Sequence, residues 1–375
     1  GPPGTGKTYT SAKIIIELMK VGKKVGITSN SHEAIKTLLI AIEQQAVDQN
    51  YEFSGMRKSK SSDKHEWKFI RNVTTGKPLN MDSYSLFAGT SWFFVDPRMN
   101  KTLDYLFIDE AGQVALGTTI ANATSADNLV LIGDQMQLSQ PMRAKHEGYA
   151  RKSSLDFILE DDDTISTDKG VFLNVTRRLN KKICNYISTS FYDSRLTSDP
   201  ITETRSVNLK LDPIKDEGLF YVPIDHSGCS QRSDEEADLV EKVFNKIVNK
   251  QYKSENITGK ISAKDIMVVA PYNAQANNIR ERLKKKFKDD VRVGTIDLFQ
   301  GQEAKVVLIS MTTSDVESLP RHKDFFFSRN RLNVAISRAE CVAIIIFNEN
   351  LLLASASNIK EMKLINSFCK LLTFK

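Results

Sequence analysis

Short runs rich in β-branched residues recur along the chain and stop abruptly in polar or glycine-rich text. They are KKVGITSN (23–30), LDYLFIDE (103–110), NLVLIGD (128–134), DIMVVAPY (265–272), AKVVLIS (304–310) and CVAIIIF (341–347). Continuous apolar runs of this length predict strands covered on both faces, as in a parallel sheet. Between them lie stretches with helical spacing: 8–20, with Ile14, Ile15 and Leu18 on one side, 31–43 and 234–250. Strands alternating with helices predict a doubly wound α/β fold, whose ligands bind beyond the carboxyl ends of the strands. Two segments break the alternation. Residues 44–82 are polar, contain RKSKSSDK, and read as a surface excursion or small insertion. EDDDTISTDKG (160–170) carries four consecutive carboxylates and reads as a solvated linker rather than a cation site. A domain boundary is therefore expected there, with one α/β domain over 1–168 and a second over 169–375.

The polar text at the strand ends carries the chemistry. GPPGTGKT (1–8) satisfies G-x-x-x-x-G-K-[ST] with Gly1, Gly6, Lys7 and Thr8. In a loop formed by Gly1, Pro2, Pro3, Gly4, Thr5 and Gly6, backbone N–H groups can turn inward around phosphate oxygens. Lys7 would reach the β- and γ-phosphates, and Thr8 would ligate Mg²⁺. The following helix adds its positive N-terminal end. LFIDEAGQ (106–113) then brings Asp109 and Glu110 to the carboxyl end of an apolar run. Beside a phosphate loop, Asp109 would hold the metal through water and Glu110 would orient or deprotonate the attacking water. ATP hydrolysis is the chemistry this pair predicts.

Transfer of a γ-phosphoryl group needs positive charge beyond the loop lysine. NRLNVAISRAE (330–340) offers Arg338, and NVTRRLNKK (174–182) offers Arg177 and Arg178. Taken singly, any of these is more often a surface ion pair. GDQMQLSQP (133–141) adds Gln137, placed to sense phosphate, and VGTIDLFQGQE (293–303) adds Gln300, Gly301 and Glu303. Together these predict ATP in a cleft between two sheets, closing about a hinge.

Composition narrows the class without deciding it. The 375 residues are 41% hydrophobic and 26% charged, which suits about two ordinary globular domains. Lys and Arg total 52 against 46 for Asp and Glu, a net charge of +6; this fits a polyanionic partner without singling one out. The four cysteines lie far apart with no CxxC or Cys/His metal spacing, so reduced thiols and a cytoplasmic location are expected. No apolar run approaches the ~20 residues that cross a bilayer, and no membrane partner is expected. The sequence starts at Gly1 without an initiator Met or leader, and an N-terminal truncation is expected.

As a set, these motifs resemble superfamily 1 helicases, in the branch of the nonsense-mediated-decay RNA helicase and the Okazaki-fragment nuclease–helicase. The resemblance covers almost the whole chain in unbroken order. GPPGTGKT is similar to motif I, GITSNSHEAI to motif Ia, AGTSW (88–92) to the nucleic-acid motif that follows, DEAGQ to motif II and GDQMQLSQP to motif III. TRRLN (176–180) falls at motif IV, GTIDLFQGQE at motif V and RLNVAISRA at motif VI. SNSHEAI, GTSW, DEAGQ and FFFSRNRLNVAISRA look closest to bacterial proteins that join a RecB-like nuclease to this motor. The resemblance implies two RecA-like P-loop domains of mostly parallel sheet. It implies Lys7, Thr8, Asp109, Glu110, Gln137, Arg178 and Arg338 around ATP and Mg²⁺, with Gly301 and Glu303 at the seam. It further implies Ser29, Asn30, Thr90, Ser91, Pro271, Tyr272, Thr295 and Gln300 near single-stranded DNA or RNA, 5′→3′ movement, and an upstream nuclease in the same full-length chain.

The family usually carries an aromatic residue before the motif IV arginine, stacked on the adenine; Arg177 stands there. A guanidinium can also stack on a flat ring, but a slip of one residue would make Arg177 the phosphate ligand, so both registers stay open. The family's preceding segment supplies a first strand and a glutamine that reads adenine, so these 375 residues alone are expected to bind ATP weakly and to have low stability. Hydroxyl and amide residues after strands suit phosphate and sugar, and predict a sequence-tolerant grip. Tyr272 could stack a base or pack in the core; Trp92 is expected in the core, and RERLKKKFK (280–288) on a solvated helix face. An ATP-gated clamp that binds nucleic acid without unwinding it needs the same motifs, and is the alternative to a translocase.

Overall fold

A computed structural model of the chain describes residues 1–59, 65–74, 81–138, 148–160, 162–255, 257–315 and 323–373. These fall into two units. The first comprises Gly1, Gly6–Gln135 and the described residues up to Leu173; the second comprises Pro2–Thr5, Met136–Leu138 and the described residues from Asn174 onward. The handover at Leu173 lies a few residues beyond position 168, the boundary read from the acidic stretch.

The first unit contains β1 (Val25–Thr28), β2 (Gly55–Lys58), β3 (Ile70–Val73), β4 (Leu86–Ala88), β5 (Leu103–Ile108) and β6 (Ala126–Leu131), in the order β3-β2-β4-β1-β5-β6. Every pairing is parallel. Alternate residues of a strand point to opposite faces. Accordingly Leu86 and Ala88 pack with Ile15, Ile16, Leu38 and Leu39, while Phe87 packs with Phe94, Leu106 and Ile108. The helix Lys7–Lys20 buries Ser11, Ala12, Ile15, Ile16 and Met19. Ile14, expected on the inner side, is instead 46% exposed, because the buried stripe runs one residue later around the helix. Three successive isoleucines cost a helix up to about 0.7 kcal/mol each in propensity. Full burial of Ile15 and Ile16 contributes roughly 1.5–3 kcal/mol each, so packing decides.

The polar segment 44–82 is not an excursion throughout. Residues up to Asp48 complete the helix His32–Asp48, and β2 and β3 extend the sheet. Their polar letters mislead because Arg57 is itself only 2% exposed, with its guanidinium over the Trp67 ring at 5.6 Å. Residues 60–64 and 75–80 of this segment lie outside the described ones.

The second unit contains β7 (Val175–Thr176), β8 (Thr197–Ser198), β9 (Ser206–Val207), β10 (Gly218–Pro223), β11 (Gln251–Ser254), β12 (Ile257–Lys260), β13 (Ile266–Val269), β14 (Arg292–Gly294), β15 (Ala304–Ser310) and β16 (Ala339–Phe347). Its main sheet runs β10-β16-β15-β13-β14, again wholly parallel. A small antiparallel sheet, β12-β11-β9, and the parallel pair β7-β8 accompany it. The core gathers Val268, Val306, Leu308, Val342, Ile344 and Ile346 beneath Val240, Phe244 and Ile279 of the helices Asp234–Ile247 and Asn273–Phe287. The fold is thus α/β with parallel sheets, as the strand and helix alternation predicts.

Candidate functional site

In the first unit the strand ends bring the expected residues to one edge. The helix Lys7–Lys20 starts on Gly6, whose φ of 77° lies in the left-handed region and costs glycine nothing. The N-cap Gly6 offers no side chain to cap this helix, which leaves its N-terminal turn suited to an anion. Lys7 folds back over the loop, with Nζ donating to the Gly1 carbonyl at 2.5 Å. Thr8 follows, half-buried. Asp109 and Glu110 stand directly after β5, next to β1 in the sheet, where the Asp109 N–H donates to the Thr28 carbonyl at 2.9 Å.

Glu110 has φ 54° and ψ 41°. For a residue with a Cβ, that conformation costs about 1–2 kcal/mol. Hydrogen bonds on both sides hold it: the Glu110 N–H donates to Asp109 Oδ1 at 3.0 Å, the Glu110 carbonyl accepts from the Gln113 N–H at 2.8 Å, and the Ala111 N–H donates to the Ile132 carbonyl at 2.8 Å. Strain of this kind gathers at functional positions. Burial, and after it the neighbouring Glu110 charge, raise the Asp109 carboxyl to about 6. Two adjacent, partly desolvated carboxylates form a hard oxygen donor set that a divalent cation relieves, so the site fits Mg²⁺.

The expected nucleic-acid residues of this unit lie at the same edge. Ile27 of β1 is in register with Ala88 of β4, so Ser29 and Asn30 leave the sheet beside Thr90 and Ser91. Ser29 is buried, Asn30 is exposed and donates to the Gln113 carbonyl at 2.5 Å, and Ser91 accepts from Asn122 Nδ2 at 3.1 Å. Trp92 departs from expectation. It is 83% exposed, because the helix Ser91–Phe94 turns Phe93 and Phe94 into the core in its place.

In the second unit, the segment Pro2–Thr5 packs on the loop that follows β7. Thr176 Oγ1 donates to the Pro3 carbonyl at 2.9 Å, and the Arg177 N–H donates to the Gly4 carbonyl at 2.8 Å. Gly4, at φ 71°, has no space for a side chain: an added Cβ would fall on the Arg178 Cβ and 2.7 Å from Thr176 Oγ1. Thr176, fully buried, was not singled out in the sequence; its signal is its place two residues before Arg178. The two arginines separate clearly. Arg178 is largely buried and its Nε donates to Glu303 at 2.6 Å, whereas Arg177 is 64% exposed and faces Asp199. This placement favours Arg178 over Arg177 for an inward role.

Arg338 sits immediately before β16 and is 1% exposed. Its guanidinium donates to the Gln302 carbonyl at 3.0 Å and to Gln137 Oε1 at 3.4 Å. Gln137 is 7% exposed, and its segment rests on Asn330 and Asn333: Asn333 Nδ2 donates to the Met136 carbonyl at 2.8 Å, and Asn330 donates to the Gln137 carbonyl. Gly301, at φ 76°, and Glu303 lead into β15. At the opposite edge, Pro271 and Tyr272 follow β13, and Thr295 and Gln300 follow β14. Tyr272 is 6% exposed and belongs to the core. The basic stretch 280–288 lies largely on a solvated helix face, where Arg282 pairs with Asp234 and Asp238, and Lys284 pairs with Asp289.

Comparison with known proteins places the chain among similar sequences. A family model described as an AAA domain matches residues 153–350, and a second of the same description matches residues 1–142. DNA polymerase alpha-associated DNA helicase A of Schizosaccharomyces pombe is 24% identical over 93% of this chain and 60% of its own length. DNA replication ATP-dependent helicase/nuclease DNA2 of Saccharomyces cerevisiae is 26% identical over 99% of this chain and 25% of its own. The regulator of nonsense transcripts 1 homolog of Drosophila melanogaster is 24% identical over 94% of this chain and 33% of its own. The chain therefore spans between a quarter and three-fifths of the length of these relatives.

Proposed function

The chain belongs to the AAA-domain family, in the superfamily 1 helicase branch that these relatives share, and we propose that it is the motor of an ATP-dependent translocase and helicase on single-stranded DNA. It moves 5′→3′ and forms part of a longer protein with an upstream nuclease. The choice of DNA is supported by two relatives whose names describe DNA work, and the nuclease by the name of the second. Polarity rests on the motif resemblance.

The observation that carries the reading is the packing of Pro2–Thr5 against Thr176–Arg178, with the buried Arg338 held at Gln137 in the same unit. Thr8 and Asp109 are the residues that would hold Mg²⁺, which when bound supplies charge neutralisation at the β- and γ-phosphate oxygens. Lys7 binds those oxygens, and Glu110 orients the attacking water and takes its proton. Arg178 and Arg338 meet the charge on the transferring phosphoryl group. The test is ATP turnover of the full-length protein with no nucleic acid, with single-stranded DNA and with RNA, alongside strand displacement. Stimulation by DNA with displacement is expected. Turnover without displacement assigns the clamp instead, and no stimulation by either nucleic acid removes the motor.

Trp92 offers a sharper test of the nucleic-acid edge. An exposed indole beside Thr90, Ser91 and Asn30 can stack a base, which contributes about 1–3 kcal/mol whatever the base. Trp92→Ala should weaken single-strand affinity by about 5- to 150-fold on that scale, while basal turnover and melting temperature hold. Fluorescence anisotropy of a labelled oligonucleotide reads the difference; equal affinities would return the indole to a surface role.

A further inference from the structure

A second group of ligand-type side chains lies at the carboxyl edge of the second sheet. One imidazole nitrogen of His226, Sγ of Cys229 and a carboxylate oxygen of Glu235 lie within 4.8 Å of one another. We propose that these three residues bind a divalent ion of the zinc class, with water in the remaining coordination position.

The argument starts at His226, whose side chain is fully buried. Its Nε2 lies 3.2 Å from Glu236 Oε1, and its Nδ1 is buried without a hydrogen-bond partner among the described residues. Glu236, also fully buried, accepts from the Ser310 hydroxyl at 2.5 Å and from the Thr312 N–H at 2.8 Å. A carboxylate fixed in this way keeps the imidazole proton on Nε2 and leaves the lone pair on Nδ1. Carboxylate, imidazole and metal in series is the arrangement by which proteins orient a ligating histidine. An ion on Nδ1 would satisfy a buried acceptor that no described residue reaches.

The other two ligands are held by their surroundings. The Cys229 N–H donates to Ser314 Oγ at 3.1 Å, and the Cys229 carbonyl accepts from the Ser314 N–H at 2.9 Å and from Thr313 Oγ1 at 3.0 Å. Asn348 Nδ2 donates to the His226 carbonyl at 2.8 Å. The exits of β10, β15 and β16 thus converge on one loop. Glu235 stands in the first turn of the helix Asp234–Ile247 and accepts from the Ser233 hydroxyl at 3.0 Å. One imidazole nitrogen, one thiolate and one carboxylate suit zinc-type ions, and the two negative charges balance the dication. The thiolate is the form of cysteine that ligates a metal, so binding displaces one proton from sulfur to solvent. His226 and Cys229 stand three positions apart, a Cys/His spacing that corrects the sequence expectation of none, and the third ligand comes from a helix start.

The ion would brace more than its own loop. The Ser233 N–H donates to Gln275 Oε1 at 2.9 Å, and Gln275 Nε2 donates to the Ser233 carbonyl at 3.0 Å and to Ser310 Oγ at 3.1 Å. Gln275 lies in the first turn of the helix that starts after Tyr272. Metal binding would therefore stiffen the Pro271–Tyr272 corner.

The experiment is titration of the chelator-treated full-length protein with Co²⁺, followed by absorption. Wild type should take up one more equivalent than Cys229→Ser and show a thiolate-to-cobalt charge-transfer band that Zn²⁺ removes; Cys369→Ser should keep the band. Glu235 is exposed, so Glu235→Gln should fold normally, and it should weaken the ion about tenfold or more, the scale on which even outer partners of a metal ligand act. A cobalt band that survives Cys229→Ser, or unchanged affinity in Glu235→Gln, overturns the assignment.

Discussion

Arg338→Ala in the full-length protein is expected to lower ATP turnover by about 10³- to 10⁵-fold, the range over which arginines act on phosphoryl transfer. Arg338 is 1% exposed and already engages the Gln302 carbonyl and Gln137, so its guanidinium is positioned before any phosphate arrives. An interaction realised only in the transition state changes kcat and leaves nucleotide affinity nearly intact. ADP affinity should therefore change little while single-turnover phosphate release collapses. Arg338→Lys separates charge from geometry. A lysine keeps the positive charge but cannot hold two acceptors and a phosphate with one fork, so turnover should stay low in that variant too. Wild-type release in Arg338→Ala would move the guanidinium role elsewhere, with Arg178 the next candidate.

The parallel sheets were legible because buried parallel strands are written as continuous apolar text bounded by polar or glycine-rich text. β5, β13, β15 and β16 stand where those runs predict. The strands that escaped are of another kind. β2 carries Arg57 and Lys58, and Arg57 is buried with its guanidinium over Trp67; local letters cannot report a contact with a residue ten positions later. β14 is three residues long, too short for a period to register. Trp92 and Tyr272 show the limit in its sharpest form. Both are large aromatics just after a strand, and one is 83% exposed while the other is 6% exposed. Which of them turns inward depends on neighbours: Phe93 and Phe94 already fill the core beneath Trp92. The phosphate loop and the paired carboxylates stood out as candidates, since residue type and spacing are what such chemistry requires. Thr176 and Glu236 did not. Each acts by holding another residue's backbone or ring, and a supporting hydroxyl or carboxylate leaves no pattern along the chain.

Glu110→Gln carries the second large effect. The amide keeps the size and shape of the carboxylate but cannot accept the water's proton, so hydrolysis should fall by about 10²- to 10⁴-fold. Binding should survive, because Lys7 and the phosphate loop are untouched and the Glu110 N–H still bonds to Asp109 Oδ1. The variant should accumulate with intact ATP, visible as retained radiolabelled nucleotide after rapid filtration. Asp109→Asn should behave differently: it removes the charge assigned to the cation, so affinity for ATP should become insensitive to Mg²⁺ concentration. The contrast between the two matters more than either loss. They are adjacent on one strand end, and a general collapse of that corner would weaken both binding and hydrolysis in both variants. If instead Glu110→Gln hydrolyses ATP at the wild-type rate, the base lies elsewhere and the left-handed backbone at 110 has no catalytic purpose.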